Sequence, residues 1–136
     1  MACPYFYPVA RLEEAAWAVP PRLPLGDAYT GECRCGPVAL APEDTVLRAS
    51  CNSGYARGKC DRFPSDARAD AVRFNIASEL DDVIQLQYIF EKGCWPIDHG
   101  DASYSIAGRA FTAPPADELV RRQASVFIES YLRRAR

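Results

Sequence analysis

The chain has one histidine, one methionine and two lysines, Lys59 and Lys92, among its 136 residues. With His99 as the sole imidazole, any Ser-His-Asp arrangement must use it, and the nearest thiol for a Cys-His pair is Cys94, five positions upstream. Neither a GxxxxGK[ST] run nor a GxGxxG fingerprint occurs, so the usual phosphate-cradling loops are missing. No apolar run approaches the roughly 20 residues that span a bilayer. The opening Met1-Ala2-Cys3-Pro4-Tyr5-Phe6 lacks the basic and apolar regions of a secretory leader. Internal repeats and low-complexity tracts are also missing. These absences set the expected location as the cytoplasm, with no membrane partner.

What is present is ordinary for a globular protein: 49% hydrophobic and 25% charged residues. The length fits a single domain over residues 1–136, long enough to bury its own core. A formal charge of −2 and a pI near 5.4 argue against a general affinity for nucleic acid, though not against a local basic patch. Nearly all the positive charge is arginine and alanine is abundant, a bias of GC-rich, often bacterial, genomes.

The proline and cysteine distribution divides the chain in two. Seven of the eleven prolines fall in residues 1–42, and each fixes φ and removes a donor. Residues 1–64 therefore read as an irregular arm followed by a cysteine-bearing helix–loop. A short helix over Val9–Val19 is expected to stop at Pro20-Pro21, and turns are expected at Pro24–Asp27 and Tyr29–Gly31. Pro42-Glu43-Asp44 suits a helix first turn, with about three turns carrying Val46, Leu47 and Cys51 on one flank. Gly54 or Gly58 can end it, which leaves Cys60 on the following loop.

Residues 70–136 read as a small antiparallel sheet and a C-terminal helix. Val72, Phe74 and Ile76 alternate with polar neighbours, a polar turn follows at residues 78–82, and Ile84, Leu86, Tyr88 and Phe90 alternate again, which makes a hairpin. The run from Lys92 to Pro96 is expected to break the pattern, with short strands resuming at Ala102–Ile106 and Arg109–Thr112. Beyond Pro114-Pro115, the spacing of Leu119, Val120, Gln123, Phe127, Ile128 and Tyr131 predicts an amphipathic helix. Asp117 and Glu118 at its start and Arg133, Arg134 and Arg136 at its end match the dipole. The fold class expected is thus α+β: a hairpin-based sheet packed by the C-terminal helix, with an irregular Pro/Cys-rich N-terminal half.

Six cysteines in a reducing compartment point away from structural disulfides, although the even count leaves that reading open. Zinc knuckles are built on C-x(2–4)-C, and no such pair is present; Cys33-Arg34-Cys35 is too tight. Single thiols on separate segments suit a cubane, whose thiolates bind different irons, although the C-x2-C run of bacterial ferredoxins is missing as well. The candidate ligands are Cys3, Cys33, Cys51 and Cys60, with Cys35 as the alternative to Cys33 and Cys94 as a surplus free thiol, buried or partly buried. Arg48, Arg57, Lys59 and Arg62 favour thiolate, and Tyr5, Phe6, Tyr7, Tyr55 and Phe63 offer a dry shell; equally, they are a solvated face and ordinary core. In pattern, over four positions and no surrounding sequence, the dispersed cysteines resemble those of the iron–sulfur clusters of DNA primase large subunits and some CRISPR-related exonucleases.

The expected function is that of a small iron–sulfur protein, of the 4Fe-4S type, in electron transfer, redox sensing or as an accessory to a larger enzyme complex. The alternative is a non-enzymatic binding module in which zinc or a cluster staples the arm to the sheet, and residues 48–62 face a protein or nucleic-acid partner. Catalysis by the chain's own side chains ranks below both. Asp98-His99-Gly100-Asp101 reads as a turn with an exposed imidazole, and Glu13-Glu14 and Asp81-Asp82 read as surface pairs.

Overall fold

The computed structural model describes residues 2–12 and 24–135. Two antiparallel sheets and one long helix make up the fold. Strands β1 (Phe6–Arg11) and β2 (Tyr29–Cys33) form a two-stranded ribbon. Strands β3 (Ala71–Leu80), β4 (Val83–Lys92), β5 (Trp95–Ser105) and β6 (Ala110–Ala113) form a meander in sequence order. Helix α2 (Glu118–Ala135) closes the chain; α1 (Asp44–Val46) is a single short turn. The α+β class expected from the sequence is what the chain adopts.

The alternating runs behave as expected, since one face of the meander is apolar. Val72, Phe74, Ile84, Leu86, Ala102 and Tyr104 are buried on the core side, while Arg73, Asn75, Gln85 and His99 lie outside. Asp81, at φ 57°, makes a two-residue turn between Leu80 and Val83. Its neighbour Asp82 accepts from the Ser105 hydroxyl (2.7 Å) and the Ala107 N–H (2.8 Å), which fixes the turn before β6.

Three expectations need correcting here. The expected break at Lys92–Pro96 is a two-residue hairpin turn: Gly93 and Cys94 both have positive φ (58° and 67°), the conformation that matches strand twist, and Lys92 pairs with Trp95. Strand β5 consequently runs through Asp98–Asp101, so His99 sits in a strand opposite Ile89 rather than in a turn. Cys94, placed at the turn, is exposed and not partly buried.

The N-terminal half is more regular than its prolines suggest. Val9–Arg11, expected to begin a helix, lie in β1; the rest of that expected helix, from Glu13, lies outside the described residues. Pro24–Asp27 does turn, but Tyr29–Gly31 extends as β2. The ribbon tolerates Pro8 beside a register shift, where a missing N–H costs no ladder bond. Gly31 is needed there: a β-carbon on it would stand 2.1 Å from the Tyr7 carbonyl oxygen.

Helix α2 lies between ribbon and meander and buries residues toward both, which explains a buried surface wider than one stripe. Phe127 meets Phe74 at 5.6 Å between ring centroids. On the other side Gln123 Nε2 donates to the carbonyls of Cys3 (2.7 Å) and Phe6 (2.8 Å). The Tyr29 hydroxyl reaches the Val126 carbonyl (3.1 Å) and Ser130 Oγ (2.6 Å). Asp117 caps the helix by accepting from the Val120 N–H (3.1 Å). At its far end Asp27 takes Ser130 Oγ (2.8 Å) and the guanidinium groups of Arg133 and Arg134. Among the described residues no helix is long and apolar enough to cross a membrane.

Two predictions follow from this packing. Leu86→Ala, at a position 1% exposed, is expected to lower unfolding stability by about 2–5 kcal/mol in urea titrations. Leu80→Ala, at a position 72% exposed, should stay within about 0.5 kcal/mol. Equal effects would contradict the assignment of the core face. The second concerns pH. Burial opposes the charge of Asp27, yet the bonds from Ser130 and Arg133 and the charge of both arginines outweigh it, so its carboxyl stays below its ordinary 3.8. A depressed folded value gives stability that is complete above about pH 4 and is lost as pH falls through the folded value. Melting temperature should therefore drop below pH 4, and Asp27→Asn should make that drop shallower; an unchanged slope would rule Asp27 out.

Candidate metal centre

The four thiols singled out from the sequence come together. Cys3, Cys33, Cys51 and Cys60, joined by Cys35, line one narrow cavity of about 10 Å³. Tyr5, Val46, Ala56 and Phe63 supply its apolar wall and Arg62 its charge. Cys94 lies apart, in the β4–β5 turn.

Each cysteine reaches the cavity by a different local device. Cys3 follows Ala2, whose backbone pairs with Val72 through two bonds (2.9 and 2.8 Å), so the chain start is laid beside β3. The Cys3 N–H then donates to the Cys51 carbonyl at 3.1 Å. Cys33 ends β2, and its backbone pairs with Leu40 to close a loop that carries Cys35. Cys51 ends a π-helical turn, Leu47–Cys51, where a three-turn α-helix was expected. The Asn52 N–H reaches back to the Leu47 carbonyl at 3.0 Å, and the wider turn buries Leu47, Ser50 and Cys51 together. Cys60 sits on the expected loop, its N–H on the carbonyl of fully buried Ala56 at 2.8 Å.

Asn52, which sequence reasoning passed over, holds these devices in register. Its Oδ1 accepts from the Tyr29 N–H, and its Nδ2 donates to the carbonyls of Tyr29 and Leu47, each at 3.0 Å. One side-chain amide thus pairs with β2 as a strand would, and ties the Cys33 strand to the Cys51 turn. Only its place directly after Cys51 could have flagged it. Gln123 does the same for Cys3 from α2.

The expected basic and aromatic groups separate by role. Arg62 lies at the cavity, and its charge works against the upward shift of Cys33 and Cys51. Arg57 is instead committed to Asp70 (2.7 Å) and to the carbonyls of Ser65 and Ala67. Lys59 reaches the Ala49 carbonyl, and Arg48 is exposed. Tyr5 and Phe63 meet edge to face at 5.7 Å and wall the cavity. Phe6 belongs to the core, Tyr7 lies under Arg34, and Tyr55 bonds Glu91.

Burial governs the thiols. It pushes Cys3 up to about 12, helped by the nearby thiols of Cys33, Cys60 and Cys35, and pushes Cys51 up to about 12, helped by Cys3, Cys33 and Cys60. Cys33 is raised by burial and by its contact with Cys35. Several thiolates cannot share this dry space without a cation, because each desolvated charge repels the next. These thiols would ionise together only if a cation lay among them. Among the described residues no three His, Cys, Asp or Glu side chains stand close enough to grip a single metal ion. A cubane asks for wider spacing than zinc, since its thiolates bind separate irons rather than one small ion. In donor type, thiols drawn from separate segments are what such a cluster would take.

Comparison with family models, with curated proteins and with solved structures gave no match.

Alkylation of the native, metal-free protein near pH 8 should modify Cys94 first and Cys3 and Cys51 last, with the latter two reacting only on unfolding. Peptide mapping against time checks this order. Modification of Cys3 or Cys51 as fast as Cys94 would contradict the burial that defines the site.

Proposed function

We propose that the chain is a small iron–sulfur protein that holds a 4Fe-4S cluster through Cys3, Cys33, Cys51 and Cys60. The observation that carries this reading is the convergence on one cavity of cysteines 57 positions apart in sequence, from four separate segments. A chance scatter of buried thiols has no reason to meet, whereas the sixth cysteine, exposed on a turn, is left out. The apolar wall would shield a cluster from water, and Arg62 would offset part of its negative charge, two influences that set reduction potential. When bound, the cluster would supply one-electron chemistry. The protein's own contribution is to hold four thiolates at fixed corners and to keep the site dry. Electron transfer, redox sensing or an accessory role in a larger complex all fit such a centre. The chain's single histidine sits exposed in β5, away from the cavity, and offers it no acid–base partner. A cytoplasmic location accords with all-thiol cysteines and belongs to the same proposal.

The test is iron and acid-labile sulfide content with a visible spectrum, on protein purified without air. We expect iron and sulfide in equal amounts and the broad absorption of thiolate-to-iron charge transfer. Single Cys3→Ser, Cys51→Ser and Cys60→Ser changes should each abolish it, and Cys94→Ser should leave it intact. Zinc alone, without colour, would replace this reading with that of a metal-stapled binding module; no metal under any condition would remove both.

A further inference from the structure

The cavity holds one thiol more than a four-thiolate cluster needs, and two of the five are in contact. Cys33 Sγ and Cys35 Sγ are 3.3 Å apart. Cluster thiolates on separate irons stand well beyond such contact, so in this arrangement one of the pair can serve and the other cannot. The intervening residue explains the pairing. Arg34 lies across the Tyr7 ring, its guanidinium carbon 3.6 Å from the ring centroid, and bonds Glu32 and Glu118 (3.3 Å each) on that side. Cys33, the last residue of β2, and Cys35, in the bend just after it, both line the cavity while Arg34 between them is held on the Tyr7 side. Both are half-buried, whereas Cys3 and Cys51 are buried at 7% and 5% exposure. The bend beyond Cys35 is open to solvent: a β-carbon on Gly36 would touch nothing within 4 Å, and Val38 is 68% exposed. Bond formation asks the two sulfurs to approach by about 1.2 Å, to a disulfide length of about 2.05 Å.

We propose that Cys33 and Cys35 are a redox pair built into the cluster site, in which one thiol completes the ligand set and the two close into a disulfide when a small-molecule disulfide oxidises them. The proposal rests on the cluster reading above. In the chemical step, one thiolate of the pair attacks a sulfur of the oxidant, whose S–S bond breaks and releases one small thiol. The second thiolate attacks the resulting mixed disulfide at the protein sulfur and releases the other. Two protein thiols and one disulfide become one protein disulfide and two small thiols; the pair loses two electrons, the oxidant gains them, and the protons pass to the released thiols. Three thiols then remain at the cavity, one short of a four-thiolate set. Loading of the site thus follows the thiol–disulfide poise of its surroundings.

The experiment uses the full chain with Cys94→Ser, which removes the exposed competitor, prepared free of metal and treated with oxidised glutathione without air. The expected product is lighter by about 2 Da and carries no glutathione. Trypsin cuts after Arg34, between the two thiols, so peptides 23–34 and 35–48 should stay joined until reduced. With Cys35→Ser added, the joined species should vanish and glutathione should remain attached to Cys33. Uptake of iron and sulfide should be lost in the oxidised protein and return on reduction. Peptides that run apart, a bridge from Cys33 to Cys60 instead, or a 33–35 disulfide that leaves uptake unchanged would each overturn the proposal. Failure of the cluster reading shows separately, as no iron or sulfide taken up before any oxidant is added.

Discussion

The site depends on borrowed hydrogen bonds. Strands β1 and β2 form a two-stranded ribbon with a register shift at its centre, too little ladder to stand alone. It is ordered because two side-chain amides from elsewhere bond its backbone: Gln123 from α2 takes the carbonyls at Cys3 and Phe6, and Asn52 from the π-helical turn takes both polar groups of Tyr29. Removing the Gln123 amide would leave the Cys3 carbonyl only its bond from the Phe6 N–H (3.1 Å), and removing the Asn52 amide would take the side-chain bonds from both polar groups of Tyr29, losses that each cost stability. Cys3 and Cys33 stand where they do because these amides hold the ribbon against the rest of the core.

That arrangement also accounts for the electrostatic character of the cavity. The ribbon, the π-helical turn and the loop at Cys60 close around the thiols from separate directions and leave little water to stabilise charge. Cys3 and Cys51 are consequently held toward their neutral form, with Arg62 the cationic side chain at the cavity wall among the described residues. Were the proposed cluster to enter, its thiols would have to give up protons, and its binding would add to the stability of the fold.

The meander and α2 were legible in the sequence because their signals are periodic: Val72, Phe74, Ile84 and Leu86 alternate, and Val120, Gln123 and Ile128 recur at helical steps. The candidate ligands were legible as residue types, and their separation in sequence gave the reason to prefer a cluster. The ribbon was hidden by Pro8 and Gly31, residues that usually argue against strands but here occupy a register shift and a close backbone approach. The first half of β5 was hidden for a similar reason, since Pro96, Asp98 and Gly100 are poor strand formers carried along by ten paired positions on β4. Asn52 and the π-helical turn had no sequence signal, because both exist only through bonds between distant segments. The exposure of Cys94 follows from a positive φ shared with Gly93, which a thiol next to tryptophan and proline does not announce.

The bond from Gln123 to the Cys3 carbonyl joins residues 120 positions apart. On a ribosome, the helix that fixes Cys3 emerges only after Cys3 itself and the entire meander. The cavity is therefore completed only once synthesis has passed α2. The order of assembly is written into which helix holds Cys3.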